Sequence, residues 1–384
     1  MAGVNLDRDL ETQDEIDLLK LTRNHFPGGD TFEVVSAHSR FPIVNRVFQK
    51  ERAVMTSGTM YEDTVFIDDD GTTQAERVRP MQVITGAVYD SVARYHIPLR
   101  KVMTRWVMDH DSISRNRAPS RLKSIDVPRK LKAQLDQVKI LEVDGFGTPA
   151  TATDDLRARG LKYWTTAITQ AQATADTWGH QGSRPIFQDG NPDTTGAGGI
   201  DPEDARYALW KNWNGRYPHD DIIADFDDDD VDRILELLLD MEYEVPMHVD
   251  DWKPGRFADK VFYINRYLLR TMDRQARLNN DSLLADLGKY AGSVVVKGVP
   301  LVYAPKLDSG WLDTDSANSY PLLYVNHNYF KPLMMEGDVF RQQGPMPPDQ
   351  TQPDVFMTFI WLTYNYLCTN RRLAVALLSR EPQA

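Results

Sequence analysis

The chain is poor in the features that usually announce a chemistry. Its 384 residues include a single cysteine, Cys368, which excludes an internal disulfide framework and fits a reducing compartment. It has no uninterrupted apolar run of about 18 residues, so no helical membrane span is expected. The acidic start MAGVNLDRDLETQDE lacks the basic and apolar character of a secretory signal. Basic residues are in the minority: 44 Lys and Arg against 56 Asp and Glu leave a formal charge of −12, and neither end carries a basic tail. Direct wrapping of nucleic acid by counterion release therefore has no instrument here. These absences describe a soluble, intracellularly made protein that meets a polyanion only indirectly.

Motifs of catalysis are missing too. The eight histidines are dispersed, with no HExxH and no Cys/His cluster, which leaves a catalytic zinc site without ligands. His25 and His38 are the nearest to each other and read as surface or turn residues. There is no GxSxG elbow and no phosphate-binding GxxxxGKS or GxxxxGKT loop. The GAGG run at 196–199 follows no strand and opens no apolar helix, so it is not a dinucleotide fingerprint. Asp225, Asp227, Asp229 and Glu236 occupy the first, third, fifth and twelfth places of a calcium loop, but Asp230 stands where that loop needs glycine. An apolar stripe starting at Val231 marks the segment instead as the acidic start of a helix. Cys368 sits in an aromatic run and reads as a small core residue. Asp109, Asp111 and Asp189 are candidates for paired acid–base carboxylates, yet 56 acidic residues offer many such pairs by chance. No catalytic, cofactor-binding or metal-binding set emerges.

What is present is material for a large fold. With 41% apolar and 10% aromatic residues the chain can bury a core divided into two or three lobes. Residues 1–25 place Leu6, Leu10, Ile16, Leu18, Leu19 and Leu21 among acids, a short amphipathic arm suited to docking rather than to folding alone. From Val47 to Trp106 the texture is β, in VFQKERAVM, MYEDTVFI, AERVRPMQVI and YHIPLRKVM. Asp68, Asp69, Asp70 and Gly71 supply an Asp-Gly hairpin signal. These strands have too few apolar positions for a core of their own, so an extended, projecting β arm is expected. A helical piece is expected near 130–137. At 154–179, Trp164, Ala167, Ile168, Ala171, Ala175 and Trp178 recur at steps of three and four, and Thr153 or Asp154 with Gly179 can cap the ends. The spacing predicts a helix of about 25 residues, roughly 38 Å long. Residues 182–204, rich in Gly and Pro, form a long loop. Trp210, Trp213 and Arg216 follow it and serve equally as a contact patch or as core. Val231, Ile234, Leu235 and Leu238 mark one face of a helix over 231–241. The runs SVVVKGVPLVYAP, PLLYVNHNYF and DVFMTFIWLTYNYLC read as strands, with the last finishing a sheet begun earlier and 324–330 in a different lobe from 356–367.

In this order the parts resemble a tailed-bacteriophage major capsid protein of the Hong Kong 97 (Johnson) fold. The resemblance is carried by FQDGNPDTTGAGGI, Trp210-Lys211-Asn212-Trp213 and NGRYPHDDIIADFDDDDVDRILELLLDMEYEVP, by VKGVPLVYAPKLD with PLLYVNHNYF as the axial strand pair, and by NYLCTNRRLAVAL as the closing strand. It implies an α+β fold with an N-terminal arm at 1–46 and an extended β loop at 47–108. A peripheral domain at 109–248, containing a spine helix at 154–179, an axial domain at 249–335, and a return to the peripheral domain at 336–384 complete it. It implies self-assembly as hexamers and pentamers into an icosahedral shell enclosing phage double-stranded DNA, touched by weak nonspecific contact, in a virion whose subunits are made in the bacterial cytoplasm. No long charged coiled-coil segment precedes the arm, which points to a separate scaffolding protein beside a portal and a decoration protein. The loop tip at 68–79 has no lysine, which disfavours a lysine–asparagine cross-link from the tip, whereas Lys50 and Lys101 lie lower on the loop. Candidate assembly contacts are Asp14, Asp17, Asp68, Asp69, Asp70, Arg77, Arg79, Trp210, Trp213 and Arg216. The alternatives are an encapsulin-like nanocompartment shell and, from another class, a carboxylate-dependent hydrolase.

Overall fold

The computed structural model describes residues 41–47, 53–66, 92–115, 119–165, 178–181, 184–217, 228–245, 260–278, 295–296, 299–308, 321–346 and 355–380. In chain order its elements begin with α1 (Pro42–Val47), β1 (Ala53–Met55), β2 (Met60–Phe66), β3 (Val92–Pro98), β4 (Arg100–Asp109), α2 (His110–Arg115) and α3 (Pro119–Phe146). There follow α4 (Leu161–Trp164), β5 (Gly179–His180), a 3-10 turn (Ala205–Trp210), β6 (Trp213–Tyr217), α5 (Asp228–Glu244), β7 (Lys260–Ile264) and α6 (Arg266–Leu278). The chain then runs through β8 (Val295–Val296), β9 (Val299–Tyr303), β10 (Leu322–Asn326), β11 (Phe330–Met335), β12 (Arg341–Met346), β13 (Val355–Cys368), α7 (Arg371–Ala374) and β14 (Val375–Arg380).

Two sheets and a ribbon organise the described residues. One sheet runs β1-β11-β13-β12, with β4 paired to β13 as a fifth strand, and the other is seven-stranded in the order β5-β6-β14-β10-β7-β9-β8. β2 and β3 form a separate antiparallel pair. The chain passes twice between the two sheets at one junction. β10 leads through a turn into β11, β13 leads through α7 into β14, and Thr369 N–H donates to the Tyr329 carbonyl across the gap (3.0 Å). There Phe330 stacks on Tyr366 with centroids 5.5 Å apart. One continuous core joins the sheets, because Tyr263, Leu323, Val325 and Val375 of the second pack with Leu333, Leu362 and Tyr364 of the first. On its other face the seven-stranded sheet is covered by α5 and α6, through Ile234, Leu237, Leu238, Met241 and Leu268 against Phe262, Leu322 and Ala376. β10 is therefore buried on both faces, which is why its sequence is an apolar run rather than an alternation.

The longest helix is α3, with 28 residues, and it lies across the five-stranded sheet. Its sheet-facing positions include Asp126, Ala133, Gln137, Leu141 and Asp144, a spacing of seven, four, four and three, while Ile140 and Val143 are exposed. The polar members bond to the sheet, although the Gln137 Oε1 has no partner among the described residues. Trp106 Nε1–H donates to Asp126 (2.8 Å), Gln137 Nε2–H to the Ile360 carbonyl (2.9 Å), and the Tyr364 hydroxyl to Asp144.

The expected long helix at 154–179 is corrected. Residues 154–160 are irregular with a bend at 156–157, α4 spans four residues, and Thr165 turns to extended backbone at φ −101°, ψ 121°. Two local causes are visible. Asp154, the expected cap, accepts from the N–H groups of Ala150, Leu156 and Arg157 and so closes a loop. Gly160 runs so close to α3 that a Cβ there would lie 1.9 Å from the Asp144 carbonyl. Residues 166–177, which carry the rest of the stripe, lie outside the described residues. The strand memberships also cut across the expected boundaries at 248/249 and 335/336. β6, α5 and β14 share the seven-stranded sheet and its cover with β7 and β10, while β11 pairs with β13. The expected strand pair at 299–303 and 322–326 is separated by β7, which binds β9 in parallel and β10 antiparallel.

Candidate assembly surface

The element least supported by its own core is the β2–β3 ribbon. The pairing runs from Met60↔Pro98 to Phe66↔Val92. One face of the pair turns inward, with Ala93, Tyr95 and Ile97 of β3 buried and Tyr61 and Val65 of β2 half-buried against the same core, while Glu62, Asp63 and Thr64 of β2 are exposed, as are Met60 and Val92. An isolated two-stranded ribbon is marginal in water, so the foot of this one must be held by the body.

The foot is held by hydrogen bonds from three segments, the end of β13, the loop at 154–159 and the glycine-rich loop. Tyr95 is buried, its hydroxyl donating to the Cys368 carbonyl (2.7 Å) and accepting from the Cys368 N–H (3.1 Å), and its ring stacks on Trp164 at 6.0 Å. His96 N–H donates to the Gly198 carbonyl (2.9 Å), and Arg159 donates to the His96 carbonyl (3.1 Å). Asn365 donates to the Pro98 carbonyl. Arg100 donates to Asp155 (3.0 Å) and to the Asp154 carbonyl (2.9 Å). The glycine-rich loop is thus a packed clamp. Gly198 has φ +69°, and a Cβ on it would sit 2.5 Å from the Tyr95 ring, so the loop can approach β3 only as glycine. Burial first, and the Arg159 guanidinium second, hold His96 below the ordinary imidazole range.

α1 docks on α3. Glu142 is buried and accepts from the N–H groups of Val44 (3.0 Å) and Ile43 (3.4 Å). Burial raises its pKa from 4.5 to about 7 in spite of those two bonds. Burial raises Asp144 and Asp126 as well.

Of the residues singled out in sequence, Asp14, Asp17, Asp68, Asp69, Asp70, Arg77 and Arg79 lie outside the described residues, as do His25, His38 and Lys50. Trp210, Trp213 and Arg216 are buried, which resolves the choice the sequence left open: both indoles are spent on the chain's own core. Trp210 donates to the Ala197 carbonyl of the glycine loop (2.9 Å), whereas Trp213 belongs to the α5 cluster. Asp109, Asp111 and Asp189 do not converge; Asp111 pairs with Arg115 (2.8 Å) and Asp189 accepts from Asn191. Cys368 is a core residue whose thiol burial pushes up to about 12. Lys101 lies 4.1 Å from the Trp361 ring centroid. Among the described residues no group of three or more His, Cys, Asp or Glu is placed to hold a metal ion, and no helix is long and apolar enough to cross a membrane.

Sequence reasoning missed Arg371, the most consequential buried charge. It is fully buried and donates to the carbonyls of Trp164 (2.7 Å) and Trp210 (3.3 Å), joining α4 to the 3-10 turn. A basic residue in an exposed-looking NRR run carries no sequence signal of such a role.

The described elements thus make a protein of mixed helices and sheets, with a separate two-stranded ribbon packed on the core, a long helix laid on one sheet, and a C-terminal chain that completes both sheets. In structure it is similar to phage capsid proteins over most of its length. The cyanophage A-1(L) capsid asymmetric unit matches with a TM-score of 0.49 and 12% identity, covering 94% of this chain and 98% of that one. The capsid of Myoviridae phage XM1 matches at 0.48 and 11%, over 99% and 100%. The capsid of an empty GTA particle matches at 0.47 and 11%, over 92% and 100%. No protein-family model matches the chain, and no curated protein does.

Proposed function

We propose that the chain is a structural coat subunit that assembles as hexamers and pentamers into an icosahedral shell enclosing phage double-stranded DNA. The observation that carries this is the β2–β3 ribbon, a strand pair whose inner face is packed and clamped on the body while its outer face, with Glu62, Asp63 and Thr64, is polar and exposed. A ribbon fixed so firmly on the body, with a polar outer face and unpaired outer strand edges, is suited to be completed by another copy. On this proposal the arm at 1–46 and the loop tip at 68–79 reach neighbouring copies, and the buried body keeps one shape while they do so. The charge of −12 suits a wall that contacts DNA weakly, with packaging work supplied elsewhere. A scaffolding protein, a portal and a decoration protein are the expected partners, the virion capsid the final location, and the host cytoplasm the site of synthesis.

Purified full-length protein, with a scaffold where needed, is expected to form large closed particles by negative-stain electron microscopy. Persistently monomeric, well-folded protein under assembly conditions sinks the proposal. Replacing 68–79 by a short Gly-Ser turn should leave the subunit folded and abolish closed particles.

A further inference from the structure

The five-stranded sheet is covered by α3 on one face, and its other face has a definite chemistry. On β4 the side chains alternate, with Val102, Trp106 and Met108 buried, and Met103 and Val107 exposed at 44% and 37%. Cross-strand pairing places Met103 beside Trp361 and Val107 beside Met357, so these side chains share the face away from α3. Phe359 and Trp361 stack at 6.0 Å in the middle of it, both half-buried, and the Trp361 Nε1–H has no hydrogen-bond partner among the described residues.

The rim of this face is basic in a chain that is acidic as a whole. Arg105 pairs in register with Phe359, and Arg341 of β12 with Trp361, while Lys101 lies over the Trp361 ring. Two carboxylates stand nearby: Asp338, which pairs with Arg341 at 3.6 Å, and Asp109 at the exposed end of β4. Arg105 has no ion pair among the described residues. An aromatic and methionine-lined strip bordered by three cations is complementary to an acidic, leucine-rich peptide. The chain itself contains one. Residues 6–21 carry six carboxylates against two cations, with Leu6, Leu10, Ile16, Leu18, Leu19 and Leu21 between them.

We propose that this face receives the acidic segment 6–21 of a neighbouring copy, the carboxylates meeting Lys101, Arg105 and Arg341 while the leucines cover Phe359 and Trp361. The nineteen residues at 22–40 can span about 60 Å when extended, enough to leave the subunit that they start from. The inference rests on the shell proposal only for the existence of a neighbour.

The test uses full-length protein, co-assembled from equal amounts of nitrogen-15-labelled and unlabelled copies and treated with a carbodiimide, which condenses a carboxylate with a lysine amine it touches. The expected result by mass spectrometry is an amide link from Lys101 to Asp14, Asp17 or another carboxylate of 6–21, with half of the links joining one labelled and one unlabelled chain. Lys101→Glu with Arg105→Glu should weaken subunit association at least tenfold, and adding Asp14→Lys with Asp17→Lys should restore it. Links confined to single copies, no link to the segment, or a charge swap without rescue overturns the inference. Protein that assembles yet shows none of these links sinks this inference alone, whereas protein that never assembles sinks the shell proposal as well.

Discussion

Substituting Glu142→Gln isolates one buried ionisation and tests whether the α1–α3 joint is poised against pH. Glu142 has only 1% of its surface exposed and its carboxylate is satisfied by the N–H groups of Ile43 and Val44. Burial outweighs those bonds, with a small opposing contribution from Lys306, and raises the pKa from 4.5 to about 7. Because the folded protein holds this proton more tightly than the unfolded chain does, stability from the group is fully present below pH 4.5 and is lost as the pH rises to about 7. The interval corresponds to about 3 kcal/mol, at roughly 1.36 kcal/mol for each tenfold change in proton affinity. Asp126 and Asp144, both raised by burial, act in the same direction, whereas Asp154 and Asp201, both lowered, lose their contribution only in acid. Gln cannot ionise, so the difference in unfolding free energy between variant and parent should move in favour of the variant by about 3 kcal/mol between pH 4.5 and pH 8. Denaturant titrations of unassembled subunits, followed by tryptophan fluorescence at several pH values, measure this difference directly. Two curves that stay parallel across that range would falsify the assignment of the raised pKa to Glu142.

Three further outcomes are expected. Tyr95→Phe leaves both backbone groups of Cys368 without their buried partner and should cost about 1–3 kcal/mol, with faster hydrogen exchange in β3; unchanged exchange would show that the clamp does not depend on that hydroxyl. Trp213→Ala should destabilise the isolated subunit by about 3–5 kcal/mol, as loss of a buried indole does, and a variant with unaltered subunit stability but weakened assembly would return Trp213 to the surface. Cys368, buried with its thiol pushed up to about 12, should resist a thiol reagent at pH 8 in native subunits and react fully in denaturant; rapid native labelling would contradict its burial.

Legibility from sequence followed the chemistry of each element. The helix at 231–241 was readable because acids precede an apolar stripe, and it appears as α5 at Asp228–Glu244, with Ile234, Leu237, Leu238 and Met241 as its buried face. The β texture of MYEDTVFI and YHIPLRKVM was readable in the same way and appears as β2, β3 and β4. α3 was visible only as a fragment near 130–137, because the positions that meet the sheet are Asp126, Ala133, Gln137, Leu141 and Asp144, while Ile140 and Val143 face outward. A hydrophobic pattern cannot register a buried face made of carboxylates and an amide. The stripe at 154–179 misled for the converse reason: its spacing was helical, but Asp154 found loop amides to bind and Gly160 was claimed by contact with α3.

By itself, then, the sequence determined the class of elements, their order along the chain, and a β segment with too few apolar positions for a core of its own. These follow from periodicity and composition, which act over a few residues at a time. Only the tertiary structure decided which helix spans the sheet, that Trp210 and Trp213 belong to the core, and that Arg371 ties α4 to the 3-10 turn from within. Each of those depends on partners 100 or more residues away, such as Tyr364 for Asp144 or Trp164 for Arg371, and a polar group can be buried only where such a partner has already been brought to meet it.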